Sequence, residues 1–314
     1  CPRDAGTRSA ATTPRGLFRY RRHGRGMNDG AGDPTDVLVG LLELTRPGNA
    51  VAAGVLTFTG SFVAAGFGAD PVPVVAAVAA TLFATAAGNA INDYFDREID
   101  RVNRPDRPIP RGAVTARAGL VFSVLLFLCA VVAAASLPIT AVAIAVANLL
   151  ALVAYTRLFK GLPGVGNTVV ASLTGSTFLF GGAAVGRVGD PAVVVLFALA
   201  ALATLSREIV KDVEDVAGDR AEGLRTLPIV VGEGAALRVG AAVLAVAVAA
   251  SAVPYLMGTF GLLYVGLVAP ADAVMLDGVR RSFTDPAAAQ RRLKRGMFLA
   301  TVAFIVGRAT GGTL

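Results

Sequence analysis

Asn89, Asn92, Asp93, Asp96 and Asp100 stand at relative offsets of 0, 3, 4, 7 and 11, within the stretch GNAINDYFDREIDRVNRPDRPIPRG at 88–112. At about 100° per residue, that spacing projects all five from one face of a helix. A second stretch, REIVKDVEDVAGDRAEGLRTLPIVVG at 207–232, sets Glu208, Lys211, Asp212, Asp215 and Asp219 at the same offsets. Each is followed by an arginine-bearing segment with a Pro-Ile pair, RPDRPIP at 104–110 and RAEGLRTLPI at 220–229. The displacement of 119 residues between the two stripes predicts an internal repeat of about four helices.

An ordinary solvated face mixes signs at four-residue spacing, whereas here acids stack on acids. Carboxylates crowded on one face repel one another unless a cation neutralises them. The chain offers that cation only oxygen ligands. Its one histidine is His23, and its two cysteines, Cys1 and Cys129, lack metal-ligand spacing. A hard ion, Mg2+ or Mn2+, is therefore favoured over zinc. Magnesium commonly takes one or two carboxylates and completes its octahedron with water and ligand phosphate. Two acidic faces beside arginine-bearing loops thus predict a clamp for a diphosphate, with basic side chains on the remaining oxygens. Two other readings compete: charged loops that only fix topology, and a cation transporter with acids along its path. The first needs no repeated carboxylate ladder. The second expects acids near the middle of a bilayer, whereas these stand at the ends of apolar runs.

The elements that must carry these faces are apolar. Of 314 residues 54% are hydrophobic and only 16% charged, with mean hydropathy +0.65, which is membrane-protein composition. Nine runs long enough to span occur at roughly 48–67, 72–92, 114–135, 138–156, 166–186, 191–210, 235–256, 258–278 and 296–312. The eighth is weakened by Pro270, Asp272 and Asp277. All lysines and arginines except Arg187 and Arg308 precede the first run, lie in the even-to-odd links or stand at the run ends beside those links. The positive-inside rule then predicts a cytoplasmic N-terminus, cytoplasmic loops after the acidic stripes and an external C-terminus. The net charge of +7 does not imply a nucleic-acid partner, because seven arginines fall in the first 26 residues with only Asp4 against them. Residues 1–26 are expected to be a disordered extension or a start-site artefact, and 27–314 a single transmembrane domain.

These motifs resemble those of the UbiA family of intramembrane prenyltransferases. Asn92, Asp93, Asp96 and Asp100 match its N-D-x-x-D-x-x-x-D motif, and Asp215 and Asp219 its D-x-x-x-D motif. TRPGN at 45–49 and YTRLFKGLPGVGN at 155–167 add support, and the likeness runs from about residue 37 to 312. The resemblance implies an all-α membrane fold of about nine helices around a cavity open to lipid. It also implies two Mg2+ ions and a prenyl diphosphate donor with a lipid-like acceptor. Asn92, Asp96 and Asp100, with Asp93 nearby, would hold one ion, and Asp215 and Asp219 the other. Asp212 would be a supporting residue or base. Lys211, Arg104, Arg107 and Lys160 are candidates for diphosphate oxygens, and Asn49 and Tyr155 for the cavity and acceptor. The wording of 207–229 is closer to the archaeal ether-lipid branch, which transfers a geranylgeranyl group to the free hydroxyl of geranylgeranylglyceryl phosphate. The quinone branch and chlorophyll-type acceptors are the alternatives.

Overall fold

The structure is a computed structural model, and it describes residues 34–155, 159 and 161–311. The N-terminal segment 1–26, Arg157 and Lys160 lie outside the described residues. Among the described residues all regular structure is helical: α1 (Pro34–Thr45), α2 (Pro47–Ala65), α3 (Pro71–Phe95), α4 (Arg97–Asn103), α5 (Ala116–Ala135), α6 (Ile139–Ala154), α7 (Val165–Ala184), α8 (Pro191–Ala221), α9 (Leu227–Val231), α10 (Glu233–Ala250), α11 (Val253–Leu256), α12 (Leu262–Ser282) and α13 (Pro286–Thr310).

Local sequence sets many of the starts. Asp70 accepts a hydrogen bond from Val72 N at 3.0 Å ahead of Pro71, and Asp190 accepts one from Ala192 N at 2.9 Å ahead of Pro191. A carboxylate cap takes a backbone N–H that the helix cannot satisfy, and proline at the first position loses no bond it could have made. Asp285 repeats the device ahead of Pro286, bonding Ala288 N at 2.9 Å. In a bilayer this matters more than in water, since a spanning segment has no solvent to complete its backbone bonds.

Six segments are long and apolar enough to cross a membrane: Pro47–Gly68, Pro71–Phe95, Ala116–Ala135, Pro191–Ala221, Glu233–Leu256 and Leu262–Ser282. Of the nine runs picked out in the sequence, six thus meet that measure among the described residues. Ile139–Ala154 is apolar but shorter. The run expected to be weakest is one of the six. α12 continues through Pro270, and its acid is satisfied internally: Ser251 Oγ donates to Asp272 at 2.7 Å while Tyr264 Oη donates to Ser251 O at 2.6 Å. A buried carboxylate inside an apolar helix is a feature the sequence reading did not anticipate. Outward faces are greasy, as on α5, where Leu125, Leu128, Val131 and Val132 are exposed. That is the distribution lipid rather than water would favour.

Close packing rests on small residues. A Cβ at Gly60 would fall 2.2 Å from Phe178 O, and one at Gly181 would fall 2.1 Å from Thr57 O. Ser61 Oγ also donates to Gly181 O at 2.9 Å, so α2 and α7 meet backbone to backbone. The Gly182 and Gly186 pair, four residues apart in the sequence, does not make this contact. Gly186 is in open space at φ +73. Beside the α2–α7 seam, Phe178, Phe260, Tyr264 and Phe304 pack into one aromatic cluster with Val193 and Leu196 of α8. A second core ties Ile209, Val210 and Val213 of α8 to Leu237 and Leu244 of α10 and Leu293 of α13.

Candidate active site

The first acidic stripe begins on α3 and ends on α4. The single continuous helix expected across it is interrupted at Asp96, which has φ −83 and ψ 1 and belongs to the junction. The interruption is slight, because Asp96 N still bonds Asn92 O and Asp100 N still bonds Asp96 O, both at 2.8 Å. The chain bends without losing its four-residue rhythm, and the acids keep one side.

That side is divided by burial. Asp93 and Asp100 are buried, while Asn92 and Asp96 are exposed. Arg46 Nη2 donates to Asp93 Oδ1 at 2.5 Å, and Arg107 Nη1 reaches the same oxygen at 3.2 Å. Arg107 Nη1 also makes a close ion pair with Asp100. Arg46 sits between α1 and α2 with a left-handed backbone, φ 47 and ψ 67. It is the one non-glycine residue with positive φ among the described residues, a conformation that costs a side-chain-bearing residue about 1 kcal/mol or more. Its backbone closes α1 and opens α2, since Arg46 N bonds Glu43 O at 3.0 Å and Asn49 N bonds Arg46 O at 2.8 Å. Asn89 Nδ2 fastens the same junction to α3 by donating to Thr45 O at 2.9 Å. Arg107 comes from the opposite direction, on the loop after α4. Pro108 and Val114 are buried there and Val114 packs with Leu44 and Ala90, so the loop is pressed back onto α1 and α3. Arg104 is exposed, with its N bonded to Asp100 O at 2.8 Å. Asn49 is also exposed, in the first turn of α2.

The second stripe lies wholly on α8. That helix runs on to Ala221, past the end of the apolar run at 210, because Ile209, Val210, Val213 and Val216 keep a buried face. Lys211 Nζ pairs with Asp215 Oδ2 at 3.3 Å, and both side chains are about half exposed. Asn167 Nδ2, from the first turn of α7, donates to Asp212 Oδ2 at 2.8 Å. Glu208 makes a close pair with its neighbour Arg207. Asp219 is half-buried, and its carbonyl accepts from Leu224 N at 2.9 Å where the chain leaves the helix. Tyr155 is brought to this stripe: its hydroxyl lies in the electrostatic field of Lys211, Glu208, Asp212 and Asp219. The loop after it is linked to α8's exit by Arg225 N bonding Gly161 O at 3.3 Å.

No hydrogen bond or ion pair joins the two stripes among the described residues, and among these no three acids converge as a ready-made metal cage. The donors on both faces are carboxylate and amide oxygens, with the side chains of Asn92 and Asp96 making no hydrogen bond or ion pair among the described residues. Two participants escaped the sequence reading, Arg46 and Asn167. Both lie in segments it quoted, TRPGN and GLPGVGN. From the sequence alone Arg46 reads only as a charge that sets topology.

Apolar helices carrying paired acid and basic groups near their ends define an all-α, multi-pass membrane protein. The chain belongs to the UbiA prenyltransferase family, whose model matches residues 53–302. It is 64% identical over 270 residues to the digeranylgeranylglyceryl phosphate synthase of Haloquadratum walsbyi, covering 86% of this chain and 94% of that protein. A solved structure of a digeranylgeranylglyceryl phosphate synthase in membranes superposes with a TM-score of 0.73 at 35% identity, covering 88% of this chain and 99% of that one. The fold is shared at 18% identity, with a TM-score of 0.65, by a UbiA homolog from Archaeoglobus fulgidus bound to DMAPP and Mg2+, over 87% and 99% of the two chains.

Proposed function

We propose that this enzyme transfers the geranylgeranyl group of geranylgeranyl diphosphate to the free hydroxyl of geranylgeranylglyceryl phosphate, a step of archaeal ether-lipid synthesis. The observation that carries the reading is the 64% identity to a protein of that activity over nearly its whole length. The reaction breaks the allylic C–O bond, its electron pair leaving on the diphosphate. It forms an ether bond from the acceptor oxygen, whose proton must be removed.

Bound magnesium would supply positive charge to the departing diphosphate. Two ions fit the oxygen-only donor set, one at Asn92, Asp96 and Asp100 and one at Asp215 and Asp219. The lack of a closed acid cage suits magnesium, which leaves positions for water and phosphate oxygens. The fold-sharing protein that was bound to DMAPP and Mg2+ supports the same assignment. Arg104, Arg107, Lys160 and Lys211 neutralise diphosphate oxygens, and Lys211 is the member whose neighbour Asp215 sits on the metal face. Asp212, already oriented by Asn167, takes the acceptor's proton. Tyr155 and Asn49 line the approach of the acceptor. The prenyl chain is held among apolar helices, where each buried CH2 contributes about 0.8 kcal/mol, and water that would quench an allylic cation is kept out.

The reading extends to the whole fold: residues 27–314 form one domain in which nine helices cross the membrane around a lipid-open cavity. The N-terminus and both acidic faces are cytoplasmic and the C-terminus is external. A four-helix repeat is supported by the matching starts of α3 and α8, where Asp70-Pro71 and Asp190-Pro191 cap their helices in the same way. The test is an acceptor panel: purified protein, labelled geranylgeranyl diphosphate and Mg2+. Geranylgeranylglyceryl phosphate should give a second ether chain and inorganic diphosphate, and its dephosphorylated analogue should react poorly, since cations built for a phosphate are left unmatched without it. Turnover of 4-hydroxybenzoate or a naphthoate with no glyceryl product would move the chain to the quinone branch.

A further inference from the structure

Asp93 is the acid of its stripe held by two arginines; Asp100 is buried too but pairs with Arg107 alone, through Oδ2. The Asp93 carboxylate is buried, with only 4% of its side chain exposed, and a single oxygen takes Arg46 at 2.5 Å and Arg107 at 3.2 Å. Asn92 and Asp96, one residue before it and three after, point to the surface. A magnesium ion displaces no protein contact at Asn92 or Asp96. At Asp93 it would have to share a buried carboxylate with two guanidinium groups, whose positive charge opposes a second cation there, and removing either partner from a buried ion pair is strongly unfavourable.

The two arginines come from segments far apart in the chain. Arg46 is fixed by the strained α1–α2 junction, and Arg107 by a loop whose Pro108 and Val114 are buried. Each guanidinium carries five N–H donors, so an arginine that gives one or two to Asp93 keeps the others for a second anion. Arg46 retains 36% and Arg107 19% of its side-chain surface, so their remaining donors are not all enclosed. Two long flexible side chains would otherwise have to be ordered each time an anion arrived.

We propose that Asp93 is a positioning residue and not a magnesium ligand: it holds Arg46 and Arg107 together so that both guanidinium groups receive the donor's diphosphate. This rests on the prenyl-transfer reading above and adds Arg46 to the residues that contact the donor. Asp93 acts through the arginines and touches neither substrate nor metal.

The test uses the full-length protein in detergent, with binding of the non-reacting donor analogue geranylgeranyl S-thiolodiphosphate followed at varied Mg2+. Asp93→Asn keeps the shape and removes the charge. It should weaken analogue binding and raise the donor KM by about tenfold or more, the worth of a charge-assisted hydrogen bond. The half-saturating Mg2+ concentration should stay within about twofold of wild type, well under a unit of free energy on the affinity scale. Asp96→Asn should instead shift that Mg2+ concentration. Arg46→Lys keeps a charge but not the fork, so it too should raise the donor KM with Mg2+ dependence unchanged, and it covers the case in which Asp93→Asn does not fold. The Arg46→Lys and Asp93→Asn losses should combine to less than their product. A shift of Mg2+ dependence in Asp93→Asn equal to that of Asp96→Asn, or unchanged donor binding in Arg46→Lys, would overturn the proposal. Wild type that binds the analogue but does not convert geranylgeranylglyceryl phosphate would refute the acceptor assignment and leave this inference standing. Wild type that does not bind the analogue at all would overturn both.

Discussion

The two acidic stripes share a spacing and differ in physical state. On α3 and α4 two of the carboxylates are buried and answered by arginines that arrive from other segments. On α8 the acids ride one uninterrupted helix, half exposed, and are answered by a lysine one turn away and an asparagine from α7. A repeated motif has thus been built into one preorganised site and one open site. The first holds its charges in place by protein contacts alone, while the second leaves carboxylates whose mutual repulsion a bound cation would relieve.

The largest effects should come from the exposed acids proposed to hold metal. Asp96→Asn or Asp215→Asn is expected to lower transfer by about a hundredfold or more, equivalent to about 3 kcal/mol of barrier, with membrane insertion unchanged. Transfer assays on purified variants check this, and more than a tenth of wild-type activity in both would remove the two-face mechanism. Next comes the seam between α2 and α7. Gly181→Ala would place a carbon 2.1 Å from Thr57 O, a backbone atom that cannot swing away, and should cost about 2 kcal/mol or more of stability. Thermal inactivation in detergent reads that loss. Asn167→Ala removes the donor to Asp212 and should lower kcat by about tenfold, within the range of a hydrogen bond to a charged group, with little change in donor KM. Smallest of all is Arg111→Ala, which breaks an exposed pair with Glu43. That change should stay within about 1 kcal/mol in stability and leave activity unaltered, a control for the arginines that do reach the buried acids.

What the sequence disclosed follows from the range of the interactions involved. The stripes, their spacing and the apolar helices were legible because they are local patterns of period 3.6. The continuation of α8 to Ala221 could also have been read, since Ile209, Val210, Val213 and Val216 keep helical spacing after the fully apolar run stops. The division of the first stripe could not. Asp93 is buried by Arg46, 47 residues earlier, and nothing in NDYFD distinguishes it from Asp96. Gly60 and Gly181 were likewise hidden among 36 glycines, because only packing of α2 against α7 shows which of them a side chain would destroy. Arg46 reads in the sequence as a topological charge, because its left-handed backbone, ahead of Pro47, has no signature of its own there.

That two separate faces jointly hold one donor diphosphate through metal is tested by counting bound Mg2+ in the complex with the non-reacting donor analogue. Equilibrium dialysis should give two ions per wild-type chain, one for Asp215→Asn and one for Asp96→Asn, and neither variant should retain tight analogue binding. A wild-type complex with one ion or none, or variants that bind the wild-type number, would contradict it.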